Sequence, residues 1–168
     1  MEYISSDTNV WIDFNTISRI ELPFRLPYTY IMFRETLRDE VLNPPHLSDT
    51  LEQLGLVGVH LTTEEFVYAD MIYDKYVKLS TPDRIALAIA YNRKITLLTG
   101  DKALRNAAEK EGVKVLGTIG LLDLMLDQDC IDDAEYQSCL REFLNHPERR
   151  LPQKELQKRI DKEVEKQE

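Results

Sequence analysis

The sequence predicts an α/β fold, a parallel sheet with helices on both faces. Three observations carry that prediction. Short apolar strands alternate with helical patterns along most of the chain, the signature of βαβ units. The run Ile95-Thr96-Leu97-Leu98 is a strand apolar enough to be covered on both sides. The segment 83–92 is apolar on nearly every helical face, and Ala86, Ala88 and Ala90 permit close packing on a sheet.

The elements follow in order. Residues 3–6 read as a first strand, and Asp7-Thr8-Asn9 starts a helix with Val10, Trp11 and Phe14 on its apolar face. Pro23 and Pro27 punctuate the chain before a second strand at 28–33. A polar helix at 35–42 is stopped by Pro44-Pro45. A short helix at 51–54 and a strand at 57–61 come next. Thr62 or Thr63 caps the following helix, with Glu64 and Glu65 favourable in its first turn. Phe66, Ala69, Met71, Ile72 and Tyr76 supply its apolar side. Thr81 is the expected cap of the alanine-rich helix, with Pro82 at its first position. After the strand at 95–98, Gly100-Asp101 turns into an amphipathic helix at 102–111 that Gly112 closes. The last strand spans 113–116, and helices follow at 119–126, 133–144 and 153–166.

The chain of 168 residues is one domain's length, with 43% hydrophobic and 30% charged residues, which excludes a disordered or low-complexity chain. No apolar run approaches a membrane-spanning length and no leader pattern opens the chain, so no membrane contact and a cytoplasmic setting are expected. Cys130 and Cys139 lack zinc-like histidine spacing and read as structural thiols. The net charge is −9, but its distribution is uneven. Residues 121–148 carry eight acids against Arg141 alone, whereas residues 83–110 carry six bases against three acids. A local nucleic-acid surface is therefore compatible with an acidic chain.

In open parallel sheets, sites form just beyond the carboxyl ends of the strands. Asp7 follows the first strand, Thr99-Gly100-Asp101 follows the strand at 95–98, and Asp83 opens the helix before it. A fourth acid is expected after the second strand, where Glu35, Asp39 and Glu40 are candidates. Converging carboxylates of this kind bind hard divalent cations such as Mg²⁺ or Mn²⁺, which activate water against phosphodiesters. Each aspartate also stands near a helix start, where it could simply cap backbone N–H groups. Thr8, Asn9 and Thr99 are placed either to bond the acids or to make local turn bonds. Arg84, Lys102 and Arg105 suit phosphate contact or a solvated helix face, and Trp11 suits the core.

These residues carry a resemblance. SSDTNVWIDF resembles the opening of PIN-domain nucleases. LSTPDRIALAIAYNRKITLLTGDKALRNAAEKEGVKVLGTIGLLDLM is similar to the second half of that family, through its Ser/Thr-x-Asp helix, its Thr-Gly-Asp turn and its Gly-Val-x-Val strand. The resemblance covers residues 1–126 as a nuclease core and leaves 127–168 as a helical extension. It implies a PIN-like parallel α/β fold and a Mg²⁺- or Mn²⁺-dependent endoribonuclease. Asp7, Asp83 and Asp101 match the family's metal-site aspartates, and Glu40-Val41-Leu42 fits the glutamate context better than Glu35-Thr36-Leu37. A further acid common after Thr-Gly-Asp is replaced here by Leu104, Arg105 and Asn106.

The expected partners are an RNA substrate and, through the acidic extension, an antitoxin-like protein or a second copy of the chain. The rival reading is a catalytically weak PIN-like scaffold that acts through protein contacts. An Asp-dependent phosphatase is disfavoured because Asp7-Thr8-Asn9 lacks the second acid of an Asp-x-Asp pair, and a dinucleotide site because no Gly-rich loop follows the first strand.

Overall fold

The structure, a computed structural model, describes residues 2–39 and 46–167. Five parallel strands form one sheet: β1 (Glu2–Ser6), β2 (Tyr28–Phe33), β3 (Val57–Val59), β4 (Thr96–Leu98) and β5 (Val115–Leu116), in the order β3-β2-β1-β4-β5. Among the described residues the α-helices are α1 (Thr8–Thr16), α2 (Arg34–Asp39), α3 (Leu47–Leu54), α4 (Thr63–Met71), α5 (Thr81–Arg93), α6 (Lys102–Lys110), α7 (Thr118–Asp127), α8 (Asp133–Leu144) and α9 (Gln153–Gln167). The expected α/β class with an all-parallel sheet is what the chain adopts. None of the described helices is long and apolar enough to cross a membrane.

The chain forms two compact units. The first holds Met1–Val10 and Pro27–Gly117, and with them the whole sheet; the second holds Trp11–Leu26 and Thr118–Glu168.

In the first unit the strand order reverses direction at β1. The chain steps from β1 to β2 and β3 on one side, then returns to place β4 and β5 on the other. The switch point of the sheet is therefore the crevice beyond the carboxyl ends of β1 and β4. Register fixes what stands there. Ser6 pairs with Leu98, and the Asp7 amide donates to the Leu98 carbonyl at 2.9 Å. Asp7 and Thr99 are thus neighbours at the first positions past the strands.

Helices α4, α5 and α6 share one apolar cluster, with Tyr68, Ile72, Leu87, Leu97, Leu104 and Ala108 at its heart. Some details depart from the sequence reading. Ser80, not Thr81, caps α5: its hydroxyl accepts from the Asp83 amide while the Asp83 carboxylate accepts from the Ser80 amide, a reciprocal capping box. On α4, Phe66 and Met71 are 64% and 65% exposed, and the inward stripe is Glu65, Tyr68, Ala69 and Ile72. Those positions follow i, i+3, i+4, i+7 spacing, so the helix is amphipathic about a different axis. Glu65 tolerates burial because Arg93 Nε reaches its carboxylate at 2.7 Å and the Thr62 amide donates at 2.9 Å. Tyr76, expected on this helix, lies beyond its end and donates from its hydroxyl to Glu111 at 2.6 Å. Tyr68 and Lys75 hold the same carboxylate at 2.7 and 2.8 Å.

The second unit is held by buried and half-buried polar pairs as well as apolar packing. Asp13 accepts from the Thr118 hydroxyl and from Arg149 Nε, both at 2.7 Å. Arg159 grips both oxygens of Asp123, to which Tyr136 also donates. Arg19 pairs with Glu135 at 2.9 Å. Trp11 is fully buried and stacks on Phe24, so it is a core residue. Cys139 is buried, and burial pushes its thiol up to about 12, which makes it an inert structural residue.

Candidate metal centre

The site is built around Asp7. It is only 7% exposed, at the carboxyl end of a strand whose preceding residues, Ile4, Ser5 and Ser6, are all buried. The Thr99 hydroxyl donates to its Oδ2 at 2.8 Å. The same hydroxyl accepts from the Asp101 backbone amide at 3.1 Å. Thr99 is therefore a clasp between the two strand ends, and the bond to Asp7 is direct.

Asp7 is also under electrostatic load. Its carboxyl is pushed up to about 6, first by burial and then by the charge of Asp83, with a smaller push from Asp101. The Thr99 hydroxyl and the Thr8 backbone pull the other way without cancelling the effect. Asp83 is raised too, first by burial and also by the Asp101 charge, against the Ser80 bonds that lower it. The three aspartates thus sense one another across three separate chain segments. Like-charge proximity of this kind disfavours full ionisation without a counter-charge.

The capping alternative is real for two of the three. Asp83 belongs to the α5 capping box, and Asp101 caps α6 by accepting from the Leu104 amide at 2.9 Å. A carboxylate has two oxygens, so a cap made through one leaves the other for a further partner. Asp7 stands just before α1 and accepts from the Thr8 backbone as well as from the Thr99 hydroxyl.

Two hydroxyls not singled out by the sequence reading set this geometry. Ser5 Oγ donates to the Ala86 carbonyl at 2.9 Å, locking the first turns of α5 over β1 and with them Asp83. Ser6 Oγ donates to the Ile31 carbonyl at 3.2 Å, tying β1 to β2. Their legible signal is a pair of small polar residues at the end of a strand that must be buried. The Thr8 hydroxyl is different. It is buried beside Asp7 in a small cavity also lined by Ser6, Thr36 and Pro82, and it has no hydrogen-bond partner within the described structure. An orphaned buried hydroxyl costs about 1–3 kcal/mol, which a water or a ligand at the site would relieve.

The other candidates divide. Asn9 is exposed at the start of α1. Lys102 is exposed on the first turn of α6. Arg84 is engaged within the fold: its guanidinium donates to the Ala69 carbonyl and the Thr81 hydroxyl, both at 3.0 Å, and lies 4.7 Å from the Tyr73 ring centre. Arg105 reaches back toward the Thr99 carbonyl at 3.4 Å and packs against Gly117. A side chain at 117 would put its Cβ 2.5 Å from Arg105 Nη2, so the guanidinium would have to move away from the Thr99 carbonyl. Arg105 braces the Thr99 strand end, a positioning role. Glu40, the expected fourth acid, and Pro44-Pro45 lie outside the described residues. Glu35 is exposed on the first turn of α2.

Among the described residues no three His, Cys, Asp or Glu side chains close up into a metal cage. The donor set nevertheless fits a hard divalent cation. It offers only oxygens, it carries mutually repelling charge, and it leaves a buried hydroxyl unpartnered. Such cations keep several waters and need few direct protein ligands.

Comparison with known families agrees with this geometry. The family model DUF3368, a PIN domain, matches residues 3–165. The match continues through the segment that the sequence reading places outside the compact core. No curated protein and no solved structure matches the chain significantly. PIN domains have a nuclease-type fold and generally use divalent metals. With a single match running over nearly its whole length and aspartates gathered at the switch point of a parallel sheet, the chain belongs to the PIN-domain family.

Proposed function

We propose that this chain is a Mg²⁺- or Mn²⁺-dependent endoribonuclease that hydrolyses phosphodiester bonds in RNA at the Asp7–Asp83–Asp101 site. The observation that carries the proposal is the electrostatic load on Asp7. A carboxyl raised to about 6, first by burial and then by the charges of Asp83 and Asp101, is costly to keep unless a cation uses it.

Asp7, Asp83 and Asp101 would hold the cation, with Glu40 as the fourth acid. The bound cation supplies Lewis-acid stabilisation to a phosphodiester under attack by water. The protein's own residues do the rest. Thr99 holds Asp7 and the Asp101 turn in one fixed relation. Arg105 braces that turn from behind. The unpartnered Thr8 hydroxyl is available to orient a water beside Asp7. Lys102, exposed next to Asp101, is placed to meet a phosphate. No side-chain nucleophile is required.

The test is cleavage of mixed RNA substrates by the purified chain with Mn²⁺, compared with Asp7→Asn. Wild-type cleavage that falls to background in the variant supports the reading. Equal cleavage by both proteins, or none by either, would refute it. The toxin role in a toxin–antitoxin pair is supported by the family resemblance. The exposed Asp127, Asp129, Asp132 and Asp133 suit a basic protein partner, and growth arrest on expression, relieved by such a partner, is the check.

A further inference from the structure

A second charged feature of the first unit lies outside the acid centre and carries the opposite sign. A groove runs between α6 and the segment joining α4 to α5. Lys102, Asn106 and Lys110 line it from α6, and Lys75 and Lys78 line it from the opposite wall. Its floor is apolar, formed by Leu79 and Ala107. Lys75 is paired with Glu111, whereas Lys78, Lys102 and Lys110 have no acidic partner among the described residues. In a chain of net charge −9, this lysine-lined groove carries charge of the opposite sign to the whole molecule.

Both walls lead to the acid centre. The α6 wall begins at Asp101, the residue just before Lys102. The other wall runs through Lys78 and Leu79 into the Ser80–Asp83 capping box. On α6 the three polar lining residues are spaced i, i+4, i+8, so they stand in one row with steps of about 6 Å. That step is close to the spacing of successive phosphates along an extended single strand. The apolar floor holds no acid to repel a backbone, and exposed Val77, at 81%, adds apolar surface at the rim.

We infer that this groove binds the phosphate backbone of single-stranded RNA flanking the cleavage site, through Lys78, Lys102 and Lys110, and so sets on which side of the acid centre the substrate must be unpaired. The inference rests on the proposed RNA substrate and adds where the strand lies and that it must be single. Lysines stand on both walls, so a single backbone lying between them meets cations from two sides. An acidic protein segment would meet the same lysines, but the regular step along α6 repeats like a phosphate backbone.

The test needs no catalysis. Binding of a fluorescein-labelled oligouridylate to the full chain is followed by anisotropy in EDTA across a salt series. Each phosphate neutralised on a single strand contributes about 0.7 to the slope of log affinity against log salt. Lys78→Gln/Lys110→Gln should therefore flatten the slope by about 1.4. Lys114→Gln, outside the groove, should leave it unchanged. Lys78→Arg/Lys110→Arg should keep the wild-type slope, and failure to do so would assign the glutamine effect to the fold and overturn the inference. A glutamine pair no different from the Lys114→Gln control would overturn it, as would equal affinity for a matched duplex or no salt-dependent binding at all. Cleavage of the same oligonucleotide on adding Mn²⁺ is read separately, so loss of the groove leaves the nuclease reading standing, and loss of cleavage with binding intact refutes only the latter.

Discussion

Removing the charge of Asp7 should stabilise the metal-free protein, and the size of the effect follows from its surroundings. Asp7 is 7% exposed and its carboxyl rises from 3.8 to about 6 on folding. Keeping it ionised therefore costs the folded state about 3 kcal/mol at neutral pH. The sign follows from proton linkage. Between pH 4 and 6 the folded protein holds a proton there that the unfolded chain has released, so stability falls as pH rises through that window and then levels off. Asp7→Asn abolishes this slope. The amide still accepts from Thr99, but its NH₂ must find an acceptor, which offsets about 1 kcal/mol. The variant should fall about 0.5 kcal/mol below the wild type near pH 4 and exceed it by about 2 kcal/mol above pH 6.5, the latter roughly 4–8 °C in Tm for a chain of this size. Mn²⁺ reverses the ranking. At about 100 times its dissociation constant it stabilises the wild type by about 2.7 kcal/mol, and it should stabilise the variant far less. Urea melts of both proteins at pH 4, 5, 6 and 7, with and without Mn²⁺, measure all of this. Parallel pH profiles for the two proteins would show that Asp7 carries no electrostatic load. Equal Mn²⁺ shifts would show that it is not a ligand.

Other parts of the fold make their own predictions. Glu111 is held by Lys75, Tyr76 and Tyr68, which draw its carboxyl down to about 2; its stabilising effect is full above pH 4.5 and should be lost as pH falls toward 2, and Glu111→Gln should remove about 1–3 kcal/mol together with that pH dependence in urea melts. Arg93→Ala leaves the fully buried Glu65 with only its helix-cap bond, so it should cost about 3 kcal/mol in urea melts and Glu65→Gln in the same background should recover part of it. Thr99→Val breaks the clasp between Asp7 and the Asp101 amide; it should cost about 1–2 kcal/mol and raise the Asp7 carboxyl further, seen by NMR titration as a midpoint above that of the wild type.

The sequence by itself determined the elements whose signals are local. Capping residues, Gly112 at a positive φ of 78°, the alanine-rich helix and the apolar run before Thr99 each specify conformation within a few residues, and the strands and helices fall where those signals stand. It also marked Asp7, Asp83 and Asp101, because strand ends and helix starts are local features that the parallel topology then gathers at one edge. Only the tertiary structure decided what depends on distant partners. Glu65 reads in the sequence as a favourable first-turn acid; Arg93, 28 residues away, makes its burial tolerable, and with Glu65 inward Phe66 and Met71 face outward. Capping and cation binding use the same residue type at the same position, so the aspartates could be told apart only by burial and mutual charge: Asp83 and Asp101 cap, and Asp7 carries the load. The lysine groove was invisible for the same reason. Lys78 and Lys110 lie 32 positions apart and become one surface only when the approach to α5 packs beside α6, since charge along a chain is a sum, whereas charge on a surface is an arrangement.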